Sequence, residues 1–297
     1  MKGLIVTNGY FSNEATRNQN SRLVEEFNKL SVTVDVIKSN DILTKLGDTS
    51  PIVYNNNGIV LPLEKYDFVI YLNKDRYQAQ MLEDAGYVLF NNAKAIVNCD
   101  DKMLTYQMLS NVVSVPKTIS SPIMYSPNDD DKFLSMVESE LGFPMIIKTV
   151  YGSMGKGVQK VDNFNNLKEV FTSLRMQPHI YQQVVGTTGE DLRITVIGGK
   201  AISCMKRKND KDFRSNVELG GIGVNFTPTK NQIKLAEIAA KTLNLDYAGV
   251  DILSDGFTDY VCEVNSNAFF KGTESATGVN VAGKYALHII NKLKNLG

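Results

Sequence analysis

Two periods of apolar and polar positions alternate along this chain of 297 residues, and the switches between them mark its elements. Leu4-Ile5-Val6 is wholly apolar, as a short buried strand is. After an Asn8-Gly9 turn, Leu23, Val24, Phe27 and Leu30 recur at helical spacing in a segment starting near Asn13. Val32 to Ile37 alternates as a second strand and Asp67 to Leu72 reads as a third. A short helix with Ala79 and Leu82 on one face then ends at Gly86, before Tyr87 to Phe90. Strands interleaved with helices predict a small open α/β domain over residues 1–95. No G-x-G-x-x-G follows its first strand, so the dinucleotide fingerprint is missing. Asn55-Asn56-Asn57-Gly58 marks a loop with no chemistry of its own.

A helix is predicted from Asn98, with Asp100 or Asp101 near its start; it carries Lys102 and turns Met103, Leu104, Met108 and Leu109 to its apolar side. Pro116, Pro122 and Pro127 punctuate an extended connection. The acidic run Asp129-Asp130-Asp131 reads as the solvated start of a helix to Leu141, favoured by the helix dipole, in preference to a metal site. Strands at Met145 to Val150 and Val158 to Val161 flank Tyr151-Gly152-Ser153-Met154-Gly155-Lys156-Gly157. A helix from about Asn165 to Leu174 precedes a strand from His179 to Val185. Asp191 to Ile197 and Ala201 to Met205 are strands about a Gly198-Gly199 turn. A basic loop with Lys206, Arg207, Lys208 and Arg214 follows, then a mobile loop at Gly220-Gly221-Ile222-Gly223. An amphipathic helix spans Thr229 to Asn244, and a last helix spans Val281 to Leu296.

Ala248 to Asn265 is the most informative stretch. Two apolar, β-rich runs flank Ser254-Asp255-Gly256-Phe257-Thr258, and Asp-Gly is a strong hairpin signal. Pairing about a turn near Phe257 sets Asp251 opposite Glu263, and alternation puts Asn265 on the same face. Opposed carboxylates lie only about 5 Å apart and repel, so a cation would make the pair favourable. Hard oxygen donors suit Mg2+ or Mn2+. Taken by itself, the same pattern also describes a solvated hairpin face with an accidental acidic pair.

Composition narrows the class. A chain of this length predicts two or three subdomains. Hydrophobic residues at 43% with 22% charged describe an ordinary globular protein with enough apolar material for a core. Thirty-two basic residues balance 32 acidic ones, which removes a global electrostatic case for nucleic acid or an anionic membrane. Cys99, Cys204 and Cys262 are odd in number and lack C-x-x-C spacing, which argues against a disulfide framework or zinc. With no signal peptide or transmembrane run, a cytoplasmic location is expected. His179 and His288 are the only histidines, and neither sits in a nucleophile arrangement.

The glycine-rich loop between two strands is not a Walker loop, because Gly157 follows Lys156 and strand residues come next. It reads either as an ordinary glycine hairpin or as a flap whose amides close over phosphates. Lys148 favours the second, since a lysine in an apolar strand is costly to bury without an anion. Lysines and amides hold phosphates, while metals bridge phosphate oxygens to carboxylates; the ordered set reads as a Mg-ATP site.

At this point the sequence resembles the ATP-grasp superfamily, and within it the RimK-type α-L-glutamate ligases. Asp191-Leu192-Arg193, Asp212-Phe213-Arg214-Ser215-Asn216 with Gly220-Gly221, Ala248 to Leu253, Glu263-Val264-Asn265 and Ala276 to Lys284 carry the resemblance. It covers roughly Asn91 to Ala282 well. The resemblance implies an α/β (α+β) ATP-grasp fold: an N-terminal open α/β pre-ATP-grasp domain over 1–95, a central subdomain with the flap over 96–185 and a C-terminal subdomain with the metal hairpin over 186–297. It implies that Lys102 and Lys148 contact ATP, that Ser153, Met154, Gly155, Lys156 and Gly157 form the phosphate flap, and that Gln183, Val184 and Val185 form the adenine edge, with Asp191 on the ribose. Asp251, Glu263 and Asn265 would bind two Mg2+ (or Mn2+) ions, and Arg193, Arg207, Arg214 and Asn216 would face the acyl-phosphate and the substrate carboxylate.

The implied reaction is ATP-dependent joining of a carboxylate to an amine through an acyl-phosphate. Glutamate is the implied added amino acid, and the acceptor is a peptide, protein or small molecule. A homo-oligomer is expected, with neither nucleic acid nor membrane as partner. Two alternatives stand beside the ligase: a small-molecule kinase of the same fold, and a non-catalytic nucleotide-binding regulator. One departure bears on substrate: where the family continues with Pro-Gly and then Glu-Gly, this chain has Ser266-Asn267-Ala268-Phe269-Phe270-Lys271-Gly272.

Overall fold

A computed structural model describes residues 1–46, 52–55, 57–61, 65–125, 130–174 and 176–295 of the chain. The N-terminal part opens with β1 (Lys2–Thr7), α1 (Glu14–Lys29) and β2 (Thr33–Lys38), followed by a hairpin of β3 (Ile42–Lys45) and β4 (Ile52–Asn55). β5 (Phe68–Leu72), α2 (Arg76–Asp84) and β6 (Leu89–Phe90) complete it. Its main sheet has the order β2-β1-β5-β6, with parallel pairing throughout. That is the open α/β unit expected from the interleaved periods. The β3–β4 hairpin was not anticipated, and Asn55 ends its second strand; Asn56 lies outside the described residues.

Next come α3 (Ala93–Asp100), α4 (Lys102–Leu109), β7 (Thr118–Ser120), α5 (Asp131–Leu141), β8 (Met145–Thr149), β9 (Val158–Val161), α6 (Phe164–Leu174) and β10 (His179–Gln183). The helix predicted from Asn98 is two helices. Asp101 breaks them apart because its extended backbone and side chain cap α4, accepting from the Leu104 N–H. Asp130 likewise caps α5, as the acidic run suggests, while Pro127 and Asp129 lie outside the described residues. The sheet here runs β7-β10-β8-β9.

The last part holds β11 (Glu190–Ile197), β12 (Lys200–Lys208), β13 (Ile222–Asn225), α7 (Lys230–Thr242), β14 (Tyr247–Ser254), β15 (Asp259–Asn265), α8 (Phe270–Thr277) and α9 (Val281–Lys294). Its antiparallel sheet has the order β13-β12-β11-β14-β15. Gly220 to Gly223 is not wholly a loop, because Ile222 opens an edge strand that pairs with β12 from Met205 to Lys208. Lys206, Arg207 and Lys208 therefore lie on a strand and not in a loop. The segment after Asn265 also winds into α8.

One core joins the first and last parts of the chain. Phe27 and Phe68 stack at 5.2 Å, Phe90 meets Phe68 edge-on, and Tyr247 packs on Phe270 and Tyr285 in the same apolar cluster. Burying side chains of this size stabilises by about 2–3 kcal/mol each. Buried Asn91 ties the end of β6 to β14 and β15. Its Nδ2 donates to the Tyr247 and Ser266 carbonyls, and its Oδ1 accepts from the Asp246 and Tyr247 N–H groups. A polar group saturated in this way fixes the N-terminal sheet over the C-terminal one. Among the described residues no helix is long and apolar enough to cross a membrane.

Candidate active site

The floor of the site is the C-terminal sheet. Register sets Asp191 opposite Arg207, Arg193 opposite Asp251, and Asp251 opposite Glu263. The predicted carboxylate pair is therefore present, by a route that includes an irregularity. Ser254 to Ile252 pair with Asp259 to Val261, and a β-bulge then leaves Cys262 as the extra residue, so that Asp251 meets Glu263. Without the bulge Glu263 would slip out of register; bulges commonly re-aim side chains beside active sites. The Tyr106 hydroxyl donates to the Cys262 carbonyl and braces the bulge from α4.

The cation that the carboxylates need is supplied to Asp251 by the protein. Arg193 grips it with a two-pronged fork, one arm at 2.7 Å, and Arg207 reaches it at 2.9 Å. Arg207 also forks onto Asp191, with Nε donating to Oδ1 at 2.7 Å. Arg207 and Asp251 are only 4% and 3% exposed, so this is a buried ionic network. Burial alone would raise the Asp251 pKa, but Arg193 and Arg207 outweigh it and hold the carboxyl below its usual range. Glu263, in contrast, has no hydrogen bond or ion pair with any described residue, and the Nδ2 of Asn265 is buried without a partner. No cluster of three or more His, Cys, Asp or Glu able to hold a metal occurs among the described residues.

Lys148 is buried on β8, where its ammonium donates to Gln182 Oε1 at 2.6 Å and lies 3.5 Å from Cys262 Sγ. Burial opposes its charge, yet Cys262, Tyr106 and Glu263 raise its pKa above the ordinary lysine value. Lys102, at the start of α4, donates to the Gly152 carbonyl at 3.0 Å; burial lowers its pKa despite Glu263. The flap folds between β8 and β9. Arg214, itself forked onto Asp212, donates to the Gly155 carbonyl at 2.7 Å. Gly155 has φ +72° and faces Arg214 Cδ, Leu219 and Asn216 so closely that a Cβ would lie 3.1 Å from the first two, which is why glycine stands there.

Two adjoining cavities open above this floor. The first, a narrow cleft of about 120 Å3, runs from Gln183, Val184 and Val185 past Lys102, Lys148 and Asp191 to the flap. The second is a chamber of about 810 Å3 between the first turns of α1 and α8, with Met154, Arg193 and Asn265 on its walls. Gly152, Ser153, Lys156, Arg207, Asn216 and Glu263 line both. Gly155, Arg214 and Asp251 line the cleft; Gly157, the remaining sequence-predicted residue, closes the flap, its carbonyl accepting from the Thr149 N–H.

Sequence reasoning missed Gln182, the direct partner of Lys148. Strand alternation carries the signal, since Gln182 shares a face with Ile180, which pairs with Lys148 across the sheet, whereas Gln183 points outward. Lys271 and Glu14, which form an ion pair on the chamber wall, had no joint signal because 257 residues separate them.

Comparison with known proteins gives the family and the fold. The RimK-like ATP-grasp domain matches residues 99–289. A Legionella pneumophila protein named as a probable alpha-L-glutamate ligase is 33% identical over 72% of this chain and 70% of its own length. A Mycoplasma pneumoniae protein, an uncharacterized MG012 homolog, is 28% identical over 88% of this chain and 90% of its own. Among solved structures, the ATP-grasp ligase PsnB in complex with a minimal precursor superposes with a TM-score of 0.72 at 19% identity, covering 98% of each chain, a likeness of fold.

Proposed function

The chain belongs to the RimK-like ATP-grasp family, and we propose that it is an ATP-dependent carboxylate–amine ligase that adds an amino acid, α-L-glutamate in our reading, to a peptide, protein or small-molecule acceptor. The observation that carries this reading is the shared wall of the two cavities: a nucleotide lying in the cleft would present its terminal phosphate to the chamber at Glu263, Arg207 and the flap. We divide the chain accordingly into an N-terminal domain (1–95), a central subdomain (96–185) and a C-terminal subdomain (186–297). Each holds one main sheet.

In this mechanism a substrate carboxylate oxygen attacks the γ-phosphorus and the bond to ADP breaks, giving an acyl-phosphate. The amine nitrogen then attacks the acyl carbon; the C–N bond forms, phosphate leaves and the amine gives up a proton. Arg193, Arg207, Arg214 and Asn216 orient the anionic groups, as guanidinium forks do. Lys102, Lys148, Ser153 to Gly157 and Asp191 hold the nucleotide, with Gln183 to Val185 along the adenine. Glu263 and Asn265 have side chains free to take Mg2+ or Mn2+, with Asp251 joining them once the arginines yield one of its oxygens. Two such ions in our reading would offset charge on the phosphates and position them when bound. With so few protein oxygens free, the metal is best suited to arrive with the nucleotide.

The test is ADP formation with pairs of amino acids and carboxylates, followed by mass spectrometry. An amide product appearing only with the amine present is the expected result; a phosphorylated product would replace the reading with a kinase. Lys148→Met is expected to weaken ATP binding roughly 10- to 100-fold by calorimetry, the size of a lost charged hydrogen bond. Unchanged affinity would remove Lys148 from the nucleotide site.

A further inference from the structure

The chamber differs in charge from an ordinary cavity. Five cationic side chains line it, from Lys74, Lys156, Arg193, Arg207 and Lys271, against the two carboxylates Glu14 and Glu263. Lys271 stands apart from the others. It lies in the first turn of α8 and does not line the nucleotide cleft, so the phosphates have no use for it. Among the described residues its partner is Glu14, which reaches across from the first turn of α1 on the opposite wall. Both members are solvent-exposed, at 46% and 77% of their side chains, and exposed pairs of this kind separate readily.

The surroundings of Lys271 are prepared for an anion. Helices α1 to α5, α7 and α9 are each capped by an Asn, Asp or Thr side chain, whereas α8 begins at Phe269 with no side-chain cap. The backbone N–H groups of Lys271 and Gly272 meet no acceptor among the described residues, leaving the donor end of the helix open to the chamber. Thr273, 4% exposed, lines the same wall, and among the described residues only its carbonyl, which accepts from the Thr277 hydroxyl, enters a side-chain hydrogen bond. Gln19 fixes this wall by donating to Asn267 Oδ1 and the Ala268 carbonyl, so the open turn is held and not frayed.

We propose that Lys271, with the Thr273 hydroxyl and the open first turn of α8, recognises the free carboxylate of the amino-acid substrate, and that Glu14 holds the place of that carboxylate until substrate displaces it. The inference rests on the reading that an amino acid enters the chamber. Lys271 thereby selects for an amino acid whose own carboxylate stays free while the acceptor's carboxylate is activated by ATP, and Glu14 tunes how tightly it binds.

The test uses the full chain loaded with Mg2+ and AMPPNP, titrated calorimetrically with each of the twenty L-amino acids and with the carboxamides of those that bind. Wild type is expected to bind at least one amino acid and to disfavour its carboxamide about tenfold or more. Lys271→Met should lose that discrimination while keeping its AMPPNP affinity, and Glu14→Gln should bind the amino acid more tightly. Equal amino-acid binding by Lys271→Met and wild type would overturn the inference alone. So would a Glu14→Gln variant weakened as much as Lys271→Met, which would mark the pair as a clasp between domains. A wild type that binds AMPPNP and none of the amino acids would instead overturn the amino-acid ligase reading together with it.

Discussion

Glu263→Gln is expected to lower ATP-dependent product formation about a thousandfold while leaving the melting temperature nearly unchanged. The two halves of this result come from one fact: the Glu263 carboxylate makes no hydrogen bond or ion pair with any described residue, yet lines both cavities. An isosteric amide removes no packing, and no partner is left unsatisfied, so stability has little to lose. Its charge is nonetheless felt from across the cleft, since it helps hold the Lys148 pKa up and partly offsets the larger lowering of the Lys102 pKa by burial. If the proposed reading places this charge where phosphate and metal would meet, its loss removes several kcal/mol of transition-state stabilisation, and each 1.4 kcal/mol is about tenfold in rate. Steady-state ADP release gives the first half and a thermal melt without ligands the second. The Mg2+-dependent stabilisation by ADP should also disappear in the variant. Activity within tenfold of wild type would remove Glu263 from the reacting centre.

What was legible in the chain followed from local rules. Asp255-Gly256 announced the β14–β15 turn, and alternation carried the argument to Asp251, Glu263 and Asn265. The flap was legible as glycines between two strands, and Asn13, Asp130 and Thr229 stood where helix starts were expected. What escaped was set by pairings distant in sequence. Arg193 and Asp251 meet because β11 and β14 are neighbours, 58 residues apart, and no periodicity within either strand says so. For the same reason Lys206, Arg207 and Lys208 looked like one basic cluster. On a strand they alternate: Arg207 turns inward to two aspartates, while Lys206 and Lys208 turn outward to Glu190. The need for a cation beside the hairpin carboxylates was a sound physical expectation. The sequence argument looked for it among metals, and the fold meets part of it with arginine.

That substitution of arginine for metal at Asp251 makes its removal costly to the fold. Asp251→Asn should destabilise the protein by about 3–5 kcal/mol, because two buried guanidiniums lose the carboxylate between them and Arg207 keeps only Asp191. In a chain of this size that corresponds to a fall in melting temperature of roughly 10 °C. The sign of the pH dependence follows from the depressed pKa of Asp251. Its contribution is present above the carboxyl's unfolded value of about 4 and is lost as pH falls below it, so wild type and variant should differ fully at neutral pH and converge only in stronger acid. Arg193→Met combined with Asp251→Asn should recover part of the loss, since an unpaired buried charge costs more than an absent pair. Differential melts of the four proteins, from neutral pH into acid well below the unfolded carboxyl value of about 4, read all of this. Strict additivity of the two substitutions would show the fork to be dispensable to the fold, and the strong hold of the arginines on Asp251 would then be no barrier to its sharing a metal with Glu263.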